Sequence, residues 1–278
     1  MKPLRFDMTQ VANALKAPEI TARDLPQTPA EPEAEAIFPQ HYMRGRSWVA
    51  TMAYEQIHAL ATHILARHGE LGMRTLAITS ALAGEGKTTV TLALADKLSS
   101  SGKRVLVVDL DIHRGTLSRA AHLEEAPGAI ESSGNGGEMP IFHSFRTDVE
   151  GVSIMPTGQV IMDENSIPLL SPERIQRLVA RSLEHFDLVL LDCPPLTPVA
   201  DTHIIGEVAD TSILVVRSGS TPRDVLDQAI SQYGKDKFFA AVLNRAQPHE
   251  IPYFREVYGY YRREPGKPLK KSKKKKRY

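Results

Sequence analysis

The segment Ser80-Ala-Leu-Ala-Gly-Glu-Gly-Lys-Thr-Thr89 constrains this chain more than any other. It follows a short apolar run, Thr75–Thr79, and opens an amphipathic one over residues 87–100. Strand, glycine turn, helix is the order that a phosphate-binding P-loop requires. The glycines let backbone N–H groups face phosphate oxygens, and the helix adds its positive end. Gly84 and Gly86 are the turn positions, with Glu85 between them. In such a loop Lys87 is placed to reach the β- and γ-phosphates and Thr88 to offer its hydroxyl to Mg2+. Thr89 completes the predicted nucleotide-binding set. The general pattern has glycine where this chain has Ala81, so the loop departs from it at its first position.

Strand and helix patterns continue to alternate beyond this loop. Apolar runs at Val105–Asp109, Val152–Met155, Leu188–Asp192, Ser212–Val216 and Ala240–Asn244 read as strands, and residues 172–185, 200–208 and 222–233 as helices. Upstream, Trp48, Met52, Ile57, Leu60, Ile64 and Leu65 form one apolar face of a helix over 47–68, which Gly69 stops. The expected fold is α/β: a P-loop NTPase with a mostly parallel, twisted sheet, helices on both faces, and flexible N- and C-terminal tails. Residues 126–140, rich in Gly and Pro, read as a surface loop. Three regions follow: an N-terminal segment with a Pro-rich linker over 1–46, a P-loop domain over 47–250, and a Tyr-rich, polybasic tail over 251–278.

Two further strand ends carry acids. Val105-Leu-Val-Val-Asp109-Leu-Asp111 ends in two carboxylates, and Leu188-Val-Leu-Leu-Asp192-Cys-Pro-Pro195 ends in one. Strand carboxyl ends are where open α/β sheets bind ligands. Paired carboxylates there suit Mg2+ or acceptance of a hydroxyl proton. Asp109 and Asp192, with Thr88, are the candidate metal residues. Lys87, Asp109, Asp111 and Asp192 are the candidate catalytic set, Asp111 being the acid that orients or deprotonates a hydroxyl. The roles of Asp109 and Asp111 are exchangeable on this evidence.

Charge narrows the partners. Residues 262–278 hold ten basic side chains and one acid, whereas the other 261 residues hold 24 basic and 32 acidic ones. So acidic a body is no general nucleic-acid binder, and no specific nucleic acid is expected. The basic tail suits an anionic membrane surface. No apolar run approaches the ~18–20 residues of a membrane span, and a single cysteine, Cys193, suits a reducing compartment.

Taken together, these motifs resemble the bacterial tyrosine kinases (BY-kinases) of capsule and exopolysaccharide synthesis over about residues 47–261. Ala83-Gly-Glu-Gly-Lys-Thr88 resembles their Walker A, Asp109-Leu-Asp111 their second acidic motif, and Asp192-Cys-Pro-Pro195 their Walker B. Asp163–Ser171, Val215–Arg223 and Val242-Leu-Asn-Arg245 resemble further family segments in order, and the last implies that Asn244 and Arg245 face the nucleotide base. The resemblance implies ATP and Mg2+ as cofactors and Tyr253, Tyr258, Tyr260 and Tyr261 as phosphoacceptors. It also implies a membrane polysaccharide co-polymerase whose cytoplasmic segment activates the kinase, a homo-oligomer, and an opposing tyrosine phosphatase. The setting is cytoplasmic, peripheral at the inner face of the plasma membrane.

Departures keep alternatives open. His113 stands where the family has Arg after its second acidic motif, and His58 and Ala61 replace two arginines of the helix through which family members pack into rings. A switch ATPase of the kind that partitions plasmids shares the fold, but its second lysine, five positions before the P-loop Lys, is Leu82 here. A nucleotide-binding scaffold without kinase activity is the third reading. The tail tyrosines also admit a structural role, as an aromatic patch on the sheet.

Overall fold

A strand whose residues are apolar without alternation is stable only if both its faces are covered. Three strands meet that condition completely: β1 (Thr75–Ser80), β2 (Val105–Asp109) and β5 (Leu188–Asp192) are buried at every position. They form the centre of the sheet in a computed structural model that describes residues 48–134, 141–159, 171–197 and 201–246. With β3 (Phe145–Arg146), β4 (Val152–Met155), β6 (Thr211–Arg217) and β7 (Phe238–Asn244), the order is β3-β4-β2-β5-β1-β6-β7. Only β3 runs antiparallel to its neighbour. All described residues belong to one compact unit.

Helices cover both faces: α1 (Trp48–Leu71), α2 (Lys87–Ser99), α3 (Thr116–Ala120), α4 (Ala129–Ser133), α5 (Pro172–His185), α6 (Asp201–Val208) and α7 (Arg223–Tyr233). Alternate strand residues feed two cores. Leu76, Ile78, Val105, Val107, Leu188, Leu190, Ile213 and Val215 join Leu94 and Leu98 of α2 and Ala61 and Ile64 of α1. Ala77, Leu106, Val108, Val189 and Leu191 join Ile175, Leu178 and Val179 of α5 and Ile205 of α6. Each fully buried Leu or Val contributes about 1.5–3 kcal/mol by leaving water.

Local chemistry sets the helix ends. Ser171 accepts a hydrogen bond from the Arg174 N–H and Pro172 takes the first helical position, both signals of a helix start. At the other end of α5, Arg74 donates to the carbonyls of Leu183 (2.7 Å), Phe186 (2.6 Å) and Asp187 (3.2 Å). Those carbonyls have no partner within the helix. Arg104 also pairs with Asp187 at 3.0 Å, and that hydrogen-bonded ion pair holds the Asp187 carboxyl down at about 2.

The sequence-predicted strands and longer helices are present, with ends shifted by up to three residues; the first helix runs past its expected stop at Gly69 to Leu71, because no residue there breaks the backbone ladder. A second expectation is also corrected: residues 129–133, read as surface loop, are the buried helix α4. Gly128 permits it, because a Cβ there would lie 2.0 Å from the Pro156 carbonyl oxygen. The Glu131 carboxylate accepts from the Gly128 and Gln159 N–H groups, and Arg174, Arg177 and Arg181 donate to the far end of α4. All of these partners except Gly128 lie about thirty to fifty residues away along the chain, beyond the reach of local patterning. The expected N-terminal linker, the Asp163–Leu170 stretch and the whole C-terminal tail lie outside the described residues, and among the described ones no helix is long and apolar enough to cross a membrane.

Replacing Arg74 with Ala strips α5 of its C-terminal partners. The expected loss is about 1–3 kcal/mol of unfolding free energy, read from urea denaturation. An unchanged midpoint would mean that water serves those carbonyls equally well.

Candidate active site

Register brings the three motifs together. Asp192 pairs with Asp109 across β5 and β2 and with Ile78 across β5 and β1. The P-loop, the Asp109–Asp111 turn and the Asp192 turn therefore leave the sheet side by side at its carboxyl edge, where such sheets bind ligands.

The loop itself is shaped for backbone donors. Gly84 and Gly86 have φ of 81° and 97°, in the left-handed region that favours glycine. Gly86 is also confined, since a Cβ there would sit 2.2 Å from the Asn244 amide nitrogen. It forms the N-cap of α2 without a side-chain cap, so no side chain of the cap residue occupies the helix's leading N–H groups. Lys87 begins that helix and is 7% exposed.

Thr88 points at the sheet: its hydroxyl donates to Asp192 at 2.6 Å. Thr91, one turn further, contacts the other Asp192 oxygen at 3.3 Å and donates to the Lys87 carbonyl at 3.0 Å. Asp192 is fully shielded, and burial beside Asp109 raises its carboxyl well above the usual range. Asp109 is raised for the same first reason, burial, against the lowering effect of its hydrogen bonds. Its Oδ2 accepts from both the N–H and the hydroxyl of Ser118 at 2.8 Å, and its Oδ1 accepts from the Asp111 N–H at 3.1 Å. Asp111 is less committed: its Oδ1 accepts from the Arg114 N–H at 3.2 Å. Asp109 thus braces the turn that presents Asp111.

This donor set fits a magnesium-bound nucleotide polyphosphate. A glycine loop, an open helix N-terminus and a lysine complement phosphate, and a threonine hydroxyl over a raised carboxyl complements a hard cation. Among the described residues no group of three or more His, Cys, Asp and Glu could hold a metal by itself. A P-loop cation relies mainly on phosphate oxygens and water, so a lone hydroxyl with a nearby carboxylate suffices.

The remaining predicted residues are placed differently. Glu85 is buried within the loop, with its carboxylate turned to the Leu82 N–H and the Thr221 hydroxyl. Asn244 ends β7 and donates to the Glu85 carbonyl at 2.8 Å. Arg245 is exposed with φ of 56°. Thr89 is half-buried in the first turn of α2, and Cys193 is fully buried beside Asp192. Tyr253, Tyr258, Tyr260 and Tyr261 lie outside the described residues. Sequence reading missed Thr91, Ser118 and Thr221. Thr91 alone left a signal, four residues after Lys87 on the same helix face.

Comparison with known proteins decides the family. A family model described as an AAA domain matches residues 73–230. The tyrosine-protein kinase YwqD of Bacillus subtilis is 30% identical over 211 residues, covering 74% of this chain and 85% of that one. The chain belongs to the bacterial tyrosine-kinase family. The tyrosine-protein kinase wzc of Salmonella typhimurium is 28% identical over 212 residues, 76% of this chain but 29% of its own length, so that match is to one part of a longer protein. Among solved structures, the BceF tyrosine kinase domain superposes with a TM-score of 0.58 at 29% identity, covering 68% of this chain and 76% of that one. In this kinase-family chain the glycine loop lies between β1 and α2.

The raised Asp192 sets an expectation for stability. A carboxyl raised by folding contributes stability that is present below about pH 4 and is lost as pH rises toward neutrality. Asp192→Asn removes that loss and keeps an acceptor for Thr88. In thermal melts the nucleotide-free variant should show a flatter pH profile between 5 and 8 and a Tm about 3 °C higher at pH 7.5. A lower Tm at pH 7.5 would contradict the electrostatic account.

Proposed function

We propose that this chain is an ATP- and Mg2+-dependent protein-tyrosine autokinase that phosphorylates C-terminal tyrosines and thereby regulates exopolysaccharide polymerisation and export. One observation carries the reading: Asp109 and Asp192 end the adjacent strands β2 and β5, and the loop leading to Lys87 leaves the next strand, β1, at the same sheet edge, in a chain of the tyrosine-kinase family.

Bound Mg-ATP would supply the transferable γ-phosphoryl group, its charge partly offset by the metal. Lys87 and the loop N–H groups hold the phosphates. With Mg2+ bound, Thr88 would offer its hydroxyl oxygen to the metal, and Asp192, its hydrogen-bond partner, would orient that hydroxyl and act on the metal through water. Asp109 fixes the turn that carries Asp111 and, with Mg2+ bound, would ligate the metal or accept from one of its waters. Asp111 takes the phenolic proton as the tyrosine oxygen attacks phosphorus and ADP leaves. A free phenol has a pKa of about 10, so a nearby base is needed at neutral pH.

The acceptors in this reading are Tyr253, Tyr258, Tyr260 and Tyr261, presented by a second copy of the chain. A co-polymerase's cytoplasmic segment activates the kinase, a tyrosine phosphatase reverses it, and residues 262–278 rest on the anionic inner face of the plasma membrane.

Incubation with Mg-ATP, read by intact mass and anti-phosphotyrosine detection, should show phosphate on the C-terminal tyrosines. Lys87→Met should lower incorporation at least about a hundredfold, since it removes a charge that stabilises the transition state, and EDTA should abolish it. ATP turnover without phosphotyrosine, with the activating segment present or absent, would favour a switch ATPase. Binding without either reaction would leave a scaffold.

A further inference from the structure

An acid within an anion-binding loop is electrostatically adverse, because like charges at close range repel most strongly where water is excluded. Glu85 is such an acid, 3% exposed in the phosphate loop. Its carboxylate is held away by two donors from different parts of the chain. The Leu82 N–H donates to one oxygen at 3.1 Å, and the Thr221 hydroxyl donates to the other. Thr221 lies between β6 and α7, and its hydroxyl also contacts the Arg217 carbonyl at 3.3 Å.

The main chain of Glu85 is gripped as well. The Asn244 side-chain nitrogen donates to the Glu85 carbonyl at 2.8 Å, while its Oδ1 accepts from the Arg245 N–H at 2.9 Å. That second bond anchors the Asn244 amide at a turn where Arg245 adopts a left-handed φ of 56°. The same amide lies where a Gly86 Cβ would be. The loop between β1 and α2 is thus clasped at one residue from the exits of both β6 and β7.

We infer that Thr221 and Asn244 are positioning residues that shape the phosphate loop through Glu85, and that the Asn244 amide serves the loop rather than reading the nucleotide base. The inference rests on the nucleotide-dependent kinase reading. Without Thr221 the Glu85 carboxylate loses the donor that turns it from the phosphates. Without Asn244 the peptide between the two left-handed glycines loses its anchor. Either loss unsettles the N–H groups before a ligand arrives, and pre-organisation is what such a loop contributes to affinity.

Calorimetric titration of the full chain with Mg-ATP, Mg-GTP and magnesium tripolyphosphate separates the roles, because tripolyphosphate has no base. Thr221→Val and Asn244→Ala should each weaken ATP and tripolyphosphate binding by the same factor, about tenfold for one lost hydrogen bond to a buried partner. The ATP-to-GTP ratio should stay unchanged. Thr221→Ser, which keeps the hydroxyl, should bind as the unmodified chain does, and this separates loop positioning from general packing. Should Asn244→Ala fail to fold, by circular dichroism, the Thr221 pair decides. The inference is overturned if Thr221→Val binds tripolyphosphate normally. It is also overturned if Asn244→Ala shifts the ATP-to-GTP ratio while leaving tripolyphosphate untouched. If the unmodified chain binds neither ATP nor tripolyphosphate, the kinase reading fails first and takes this inference with it.

Discussion

The hydrogen bond from Thr88 to Asp192 joins residues 104 positions apart and fixes the first turn of α2 to the end of β5. Around that link the rest of the site is organised. Thr91 adds a second contact from the same helix face, and the β5 register sets Asp192 opposite Asp109, which in turn secures the loop through Ser118. Such an arrangement has an electrostatic cost, since two carboxyls are buried side by side in the nucleotide-free chain. That edge of the sheet is therefore a local stability deficit, offset by the apolar centre of the sheet.

Polar groups in and around the site are closed into a network. Among the described residues no buried side-chain nitrogen or oxygen lacks a hydrogen-bond partner. Asp109 and Glu85 illustrate two solutions to a shielded carboxylate, hydroxyl plus amide donors and a loop amide with a distant threonine, whereas the part-exposed Asp187 is held by an arginine ion pair. Full satisfaction gives such networks directionality, which apolar packing does not supply.

Legibility in the sequence followed the range of the interactions. The central strands were readable because Val105–Asp109 and Leu188–Asp192 are uninterrupted apolar runs, and α5 because Ser171-Pro172 starts it and Ile175, Leu178 and Val179 recur at helical spacing. The loop from Gly84 to Thr88 was readable because turn, charge and hydroxyl are contiguous. Helix α4 was not, since the donors to its carbonyls come from Arg174, Arg177 and Arg181. Nor was the bond of Asn244 to Glu85, which joins residues 159 positions apart. Motif resemblance pointed Asn244 toward a base, whereas its contact within the protein became visible only in three dimensions.

The strand order has a consequence for biosynthesis. β1 is made more than a hundred residues before either of its neighbours: Thr75 pairs beside Val189, and Leu76 beside Thr211. A nascent chain carrying the complete phosphate loop therefore lacks the strands that hold it. At ordinary elongation rates of about 5–20 residues per second, several seconds separate the motif's synthesis from its possible assembly. Such long-range pairing slows folding as well. The loop after β1 thus reaches its folded setting only once β5 and β6 have both been made.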